Sequence, residues 1–194
     1  MYSYENDRRA GYRPGVGLLL ICGGQLMLVQ KASELSIFER GTDGELKLVD
    51  TPPEKWMFEW DIPQEGVEPG ESLLQTVHYG IEEELGGHLR IGSVDFIGSA
   101  SLDRDFTRDG IRWRGKRIYY HAIEVLETPD GYDDYVYGSR GDECSPFPIG
   151  GEYAGGLFLG YATASRLIRS TRRGPKVETL LNVIEGLRAD RYIH

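Results

Sequence analysis

The sequence is poor in cysteine, with only two in 194 residues. Cys22 and Cys144 cannot form a framework of several disulfides, and neither belongs to a Cys-x-x-Cys or Cys/His cluster of the kind that holds structural zinc. This scarcity excludes the small disulfide-stapled folds and the zinc modules. It also makes the cytoplasm the expected location of the protein.

Long apolar runs and an excess of positive charge are also missing. The most apolar stretch, Val16–Cys22, is much shorter than the ~20 residues that a membrane-spanning helix needs, and Met1–Ala10 is polar, unlike a signal peptide. With 22 basic against 31 acidic residues, the net charge of −9 disfavours an extended nucleic-acid surface. We therefore expect no membrane role, whereas a small phosphorylated partner held through a divalent cation agrees with this charge.

The patterns that are present indicate a mixed α/β (α+β) protein. Val16–Cys22 and the stretch 25–30 are predicted as strands joined by the turn Gly23-Gly24, and a second strand pair is predicted at 35–38 and 45–49. A segment rich in proline and glycine, 60–70, is predicted as a loop.

The second half of the chain continues this mixture of strands and helices. Strands are predicted over 90–100, 111–126 and 157–161, and helical spacing extends over 162–187 with a break at Gly174-Pro175. Residues 127–156 show no periodicity and are predicted as a long loop. We expect a polar leader at 1–11 and a single domain over 12–194, with a homodimer as one option for its assembly.

A helix is predicted from Ser72 to Leu85, with Ser72 as its N-cap and Gly86-Gly87 as its stop signal. The apolar residues at helical spacing are expected to form a buried stripe: Leu73, Leu74, Val77, Ile81 and Leu85. The opposite face carries acidic residues. His78 lies about 160° around the helix from Glu84, so we expect it to pack rather than to bind a metal ion.

Positions 80, 83 and 84 share one face of this helix because three and four residues separate them. Glu83 and Glu84 either bind a metal ion there or form a solvated face, which is the usual meaning of a charge run. Carboxylate oxygens suit Mg²⁺ or Mn²⁺, and Mg²⁺ commonly needs only one or two of them from the protein. Gly80 supplies no ligand, and because glycine is a poor helix former, local helix stability did not select it.

The segment from Gln64 to Gly87 resembles a Nudix box, whose pattern is G-x5-E-x7-R-E-U-x-E-E-x-G-U, with U a bulky aliphatic residue. Aligned without gaps, the positions that match are Glu71, Ile81, Glu83, Glu84 and Gly86. The resemblance implies the Nudix fold, in which a mixed β-sheet is sandwiched between α-helices. It also implies hydrolysis of pyrophosphate bonds with Mg²⁺ or Mn²⁺ as the cofactor.

Four positions depart from the pattern. Glu65 replaces the opening glycine, Tyr79 the arginine, Gly80 the glutamate beside it and Gly87 the last aliphatic residue. In the family, the glutamates at the positions of residues 80 and 84 bind the cation, and the one at the position of residue 83 supports metal binding or water activation. The resemblance therefore implies Glu83 and Glu84 as metal ligands, with Glu83 also catalytic.

Glu71 has two interpretations that the sequence leaves open. Its charge near the helix N-terminus stabilises the helix start, or its carboxylate joins the metal shell. A further catalytic base or ligand from outside the box is implied by the family, with Asp142, Glu143 and Glu152 as candidates. Glu152 is preferred, because it precedes the last predicted strand, where similar proteins carry an acidic residue.

Three segments are similar to one branch of the family, the dinucleoside polyphosphate hydrolases and RNA 5′-pyrophosphohydrolases. They are Tyr12-Arg-Pro-Gly-Val-Gly17, Trp60-Asp-Ile-Pro-Gln64 and Trp113-Arg-Gly-Lys-Arg-Ile-Tyr-Tyr120. In the third, Lys116 stands where that branch usually has glutamine. The similarity covers about residues 12–126 of the chain.

Basic and aromatic residues in and near these segments are candidates for the substrate site: Arg112, Arg114, Lys116, Arg117, Trp60 and Tyr120. Guanidinium groups match phosphate oxygens, although strand alternation places some of the basic residues in solvent. The two aromatic residues either stack on a nucleobase or fill the core, and core packing is the commoner role of aromatic residues at strand ends.

Two functions of different class follow from these observations. The first is a divergent, metal-dependent phosphohydrolase that acts on a nucleoside diphosphate derivative or another compact pyrophosphate. The second is a binding or regulatory module that recognises a nucleotide without hydrolysing it, a hypothesis that rests on the joint loss of arginine at 79 and glutamate at 80. A role in tailoring a specialised metabolite has no support from individual residues.

Overall fold

The computed structural model describes residues 4–32, 38–40, 46–48, 58–85, 89–127, 153–171 and 175–194. Its helices are α1 (Tyr4–Arg9), α2 (Leu73–Leu85), α3 (Tyr161–Thr171) and α4 (Pro175–Ala189). Its strands are β1 (Tyr12–Cys22), β2 (Gln25–Ala32), β3 (Phe38–Arg40), β4 (Leu46–Leu48), β5 (Phe58–Asp61), β6 (Gln64–Gly66), β7 (Arg90–Arg108), β8 (Ile111–Glu127) and β9 (Tyr153–Leu159).

Seven of these strands form one mixed sheet with the order β5-β2-β1-β8-β7, in which β6 also pairs with β1 and β9 also pairs with β2. Strands β1 and β8 are parallel, and the other pairs are antiparallel. At one end β1 pairs with β2, and at the other, from Gly15 to Gly17, it pairs with β6. Strands β3 and β4 form a separate hairpin.

The helices cover both faces of this sheet because buried side chains alternate along its central strands. Leu19 of β1 and Ile118 of β8 belong to a core shared with α3 and α4. Their neighbours Leu18 and Leu20 point to the opposite face and belong to a second core with α2. The predicted sandwich of a mixed sheet between helices is thereby confirmed.

The first hairpin confirms the expected turn at Gly23-Gly24. Both glycines have positive φ angles, 55° and 77°, which two-residue hairpin turns require and which side chains with a Cβ resist. A similar turn joins β7 to β8 at Asp109-Gly110, with φ angles of 53° and 74°. Strands β7 and β8 continue to this turn and are longer than the sequence pattern predicts.

Two loop predictions are wrong in part. The proline- and glycine-rich segment 60–70 contains the end of β5 and all of β6, and β9 begins at Tyr153, inside the predicted loop 127–156. These short strands exist because they pair with β1 and β2, which are distant in sequence. Residues 128–152, including Asp142, Glu143, Cys144 and Glu152, lie outside the described part of the chain.

Helix α2 confirms the predicted limits and N-cap. The backbone N–H of Gln75 donates to Ser72 Oγ at 3.2 Å, and the N–H of Ser72 donates to Gln75 Oε1 at 2.9 Å, which is the reciprocal capping-box arrangement. Gly86 and Gly87, the predicted stop, lie outside the described residues.

The predicted stripe of α2 is correct at Val77 and Ile81, which are buried. It is wrong at Leu74, which is 52% exposed, and in omitting the fully buried Thr76. The helix is rotated so that Thr76 and Gly80 face the sheet. His78 is exposed, so its expected packing role is also wrong.

Helix α1 lies in the segment predicted as a polar leader, and it contacts the sheet. Asp7 is 5% exposed, and the hydroxyl of Tyr119 in β8 donates to its carboxylate. The hydroxyl of Tyr4 donates to the carbonyl oxygen of Glu71. No helix in the described part of the chain is long and apolar enough to cross a bilayer.

Candidate active site

The acidic part of the site begins where the chain enters α2. Oε2 of Glu71 accepts hydrogen bonds from the backbone N–H of Glu68 at 3.0 Å and from Oγ1 of Thr76 at 3.0 Å. Glu71 therefore holds the turn before the helix in place. These bonds also fix the orientation of its carboxylate, which a supporting role in a metal shell needs.

Gly80 lies on the buried face of α2, in close contact with the sheet. A Cβ atom placed on Gly80 would lie 3.0 Å from Cβ of Glu65 and 3.1 Å from Cδ1 of Leu18. Both distances are shorter than ordinary van der Waals contacts between carbon atoms. Packing against β6 and β1 is therefore the physical reason for a glycine that helix propensity disfavours.

The other predicted metal ligands are described to different extents. Glu83 is exposed on α2. Glu84 belongs to the helix one turn after Gly80, but its side chain is outside the described part, as is all of Glu152. Among the described residues, no three acidic, histidine or cysteine side chains form a group that could enclose a metal ion.

A basic cleft of about 530 Å³ lies on the other side of β6. Its walls come from β6, β7, β8 and the first turn of α4, and its lining residues are Gln64, Leu102, Asp103, Arg104, Asp105, Phe106, Lys116 and Lys176. Nζ of Lys116 lies 6.0 Å from the centre of the Phe106 ring. Of the basic candidates from the sequence, Lys116 is the one that lines this cleft.

The three arginines of β8 have partners of their own. Arg112 is largely exposed and pairs with Asp105 at 2.9 Å. The guanidinium of Arg114 lies 5.5 Å from the centre of the Tyr12 ring. Arg117 donates to Ser101 Oγ and lies 3.9 Å from the carboxylate of Asp7, on the face of the sheet that α1 covers. The structure thus does not bring these arginines together with Lys116.

Trp60 and Tyr120 are core residues, 8% and 4% exposed. Burial, together with the nearby Asp61 carboxylate, raises the pKa of the Tyr120 hydroxyl to about 12. Asp61 is itself buried and pairs with Nζ of Lys176 at 2.7 Å. Their burial supports the core interpretation over stacking on a nucleobase.

Strand β6 connects the acidic helix with the basic cleft. Gln64 lines the cleft, whereas the next residue, Glu65, contacts α2 at Gly80. This is the alternation of side chains expected in a strand. The two halves of the candidate site are therefore adjacent at β6, although they lie on different faces of the sheet.

Sequence reasoning missed two of these residues. Glu65 is visible in the sequence as a departure from the box, but nothing local shows that it faces Gly80. Lys176 carries no sequence signal, because it reaches the cleft only when the fold brings the start of α4 to Asp61 at the end of β5.

Comparisons with known proteins agree with this architecture. A family model described as NUDIX domain matches residues 11–134, more than half of the chain. A NUDIX hydrolase from Nitrosomonas europaea is 15% identical, with a TM-score of 0.54 over 94% of this chain and 92% of that chain. The E. coli dihydroneopterin triphosphate pyrophosphohydrolase is 11% identical, with a TM-score of 0.53 over 92% and 98%.

A C. elegans Ap4A hydrolase is 14% identical, with a TM-score of 0.49 over 92% of this chain and 96% of that chain. No curated protein matches the sequence. At identities this low, the first two structures show a shared fold and leave substrate open.

Proposed function

This chain belongs to the Nudix family, and we propose that it is a divergent, metal-dependent phosphohydrolase that cleaves a pyrophosphate bond in a nucleoside diphosphate derivative or a similar small phosphate compound. The observation that carries the proposal is the meeting of an acidic helix and a basic cleft at adjacent residues of β6, Gln64 and Glu65. In pyrophosphate cleavage, carboxylates hold the divalent cation, and positively charged side chains bind the phosphate groups.

The donor chemistry at α2 fits a divalent cation. Glu83 and Glu84 would hold Mg²⁺ or Mn²⁺ through carboxylate oxygens, with Glu71 in support, and such ions prefer oxygen ligands. When bound, the cation neutralises charge on phosphate oxygens and lowers the pKa of a water that attacks phosphorus. Glu83 is also the proposed catalytic carboxylate, and Glu152 is the proposed further base or ligand.

The cleft is the proposed place of the substrate. At about 530 Å³ it has the size of small-molecule sites. Lys116, Lys176 and Arg104 line it together with Asp103 and Asp105, and Lys176 is paired with Asp61. Lys116 and Arg104 are therefore the groups proposed to meet an anionic substrate.

The test of this function is release of phosphate or nucleotide from a panel of nucleoside diphosphate derivatives and dinucleoside polyphosphates, with Mg²⁺ or Mn²⁺. We expect Glu84→Gln to lower the rate on the order of 100-fold, because it removes a metal ligand. Glu82→Gln is the matched control, because Glu82 is an exposed acid on the same helix. Equal rates for Glu84→Gln and the parent protein would exclude this mechanism.

A second function, nucleotide recognition without hydrolysis, is favoured by the buried Gly80, where the family pattern has a glutamate. Calorimetry against the same panel separates the two, because saturable binding without turnover agrees only with the binding module. A homodimer stays a prediction. Among the described strands, β7 is at one edge of the sheet, and edge strands are sites where sheets associate.

A further inference from the structure

Two residues that depart from the family pattern contact each other in the structure. The pattern has glycine at position 65 and glutamate at position 80, whereas this chain has Glu65 and Gly80. A Cβ on Gly80 would lie 3.0 Å from Cβ and 3.6 Å from Cγ of Glu65. The two departures therefore form a reciprocal exchange across one contact, and the number of carboxylates around it is unchanged.

The geometry of this contact places the stem of Glu65 where a side chain from position 80 would begin. On a helix, side chains three and four positions apart are neighbours, with Cβ atoms roughly 5–6 Å apart. A carboxylate that starts beside Gly80 therefore starts one helical turn before Glu83 and Glu84. Leu18 closes the other side of this space, 3.1 Å from the same Cβ position.

A backbone hydrogen bond fixes the orientation of the Glu65 carboxylate, as a ligand role needs. Its Oε1 accepts from the backbone N–H of Gly66 at 2.5 Å, which orients the carboxylate. Arg13 of β1 pairs with Glu68, with Nη2 and Oε1 3.8 Å apart, and its positive charge also acts on Glu65. Glu65 is half-buried, so solvent would screen its attraction for a bound cation only in part.

We propose that Glu65 supplies, from strand β6, the carboxylate that helix α2 lacks at position 80, so that a divalent cation is held by Glu65 together with the acids of the helix. This inference rests on the proposed metal-dependent function and assigns a ligand that the family pattern does not contain. Its steric corollary is that position 80 must stay glycine while position 65 is glutamate.

Binding of Mn²⁺ to the full chain without substrate, followed through the electron paramagnetic resonance signal of free Mn²⁺, tests this directly. We expect Glu65→Gln to weaken the affinity at least about tenfold, because it removes one anionic oxygen ligand. Glutamine keeps the side-chain length and the oxygen that accepts from Gly66. The matched control Glu82→Gln is expected to bind Mn²⁺ within about twofold of the parent, since its carboxylate belongs to the solvated side of α2.

A second set of variants tests the exchange itself. We expect Glu65→Gly to lose Mn²⁺ affinity, and the double variant Glu65→Gly/Gly80→Glu to recover it, because the double variant returns the carboxylate to the helix. Gly80→Glu alone places two side chains in one space, so its melting temperature is expected to fall below that of the double variant. Melting curves of all variants separate misfolding from loss of a ligand.

The outcomes distinguish this inference from the function on which it rests. If Glu84→Gln abolishes Mn²⁺ binding while Glu65→Gln binds as well as Glu82→Gln, the assignment of Glu65 is wrong and the hydrolase proposal stands. If the parent protein binds no Mn²⁺, both are overturned. A double variant that folds but binds no better than Glu65→Gly also contradicts the exchange.

Discussion

The two sides of strand β6 are built in different ways. The acidic side comes from one continuous segment, in which Glu71, Glu83 and Glu84 lie within or just before α2. The basic side is assembled from separate elements, with Gln64, Lys116 and Lys176 brought together by the packing of β6, β8 and α4. A contiguous motif is visible in a sequence because its spacing repeats the helical period, whereas a site built from distant residues has no such signal.

The largest expected effect is a loss of kcat/KM when Lys116 is replaced, which is not expected when Arg112 on the same strand is replaced. We expect Lys116→Ala to lower kcat/KM by about 10- to 100-fold, because a hydrogen bond to a charged group contributes about 1.5–3 kcal/mol. Arg112→Ala, which removes an exposed side chain already paired with Asp105, is expected to leave kcat/KM within about twofold. Steady-state kinetics of both variants measures this difference, and equal effects would remove the cleft from the substrate site.

The next effect concerns stability on the basic side. Lys176→Met is expected to lower the free energy of unfolding by about 2 kcal/mol, because it leaves the buried Asp61 carboxylate without its ion pair. Urea denaturation measures the change. The double variant Lys176→Met/Asp61→Asn is expected to recover part of the loss, and a single variant as stable as the parent would show that the pair is not structural.

A smaller effect on stability is expected when Gly80 of α2 is replaced, and it is compared with the same replacement of a glycine in α4. Gly80→Ala is expected to destabilise the protein by about 1 kcal/mol, because the close contacts with Glu65 and Leu18 outweigh the better helix propensity of alanine. Gly186→Ala in α4 is the matched control, since a Cβ there meets no atom within 4 Å. It is expected to stabilise by about 0.5–1 kcal/mol. Stabilisation by both changes would contradict the close approach of α2.

The smallest expected effect is a pH dependence of the unfolding free energy. It comes from His121, on the face of the sheet that α1 and α2 cover. Burial lowers the pKa of His121 below its ordinary value of 6.5. The unfolded chain therefore binds a proton more readily than the folded one, so this residue's contribution to stability is complete above pH 6.5 and is lost as pH falls below it.

Unfolding free energies of the parent and of His121→Gln at several pH values between 7 and 5 measure this contribution. The glutamine variant cannot titrate, so its stability is expected to fall less steeply than that of the parent. Parallel curves would show that His121 does not contribute to the acid sensitivity.

Much of the fold could be predicted from local patterns, and the errors have a common physical origin. The Gly23-Gly24 hairpin, the Ser72 cap and the start of α4 at Pro175 depend on backbone preferences of single residues, and the helices and strands around them are where the patterns place them. The apolar pattern places Leu74 on the buried face of α2, but the structure exposes it, because apolar character alone does not show which way a helix turns toward its sheet. Strand β6 was missed because its pairing with β1 is long-range.

By itself, the sequence determined the family pattern, the limits of α2 and the placement of Glu83 and Glu84 on that helix, because these follow from residue type and spacing along the chain. Only the tertiary structure decided that Glu65 faces Gly80, that Trp60 and Tyr120 are buried, and that Lys116 and Lys176 share a cleft. Each of these contacts joins residues that are far apart in the chain or that lie on different strands and helices. Their proximity follows from packing around the shared sheet, which local residue preferences do not specify.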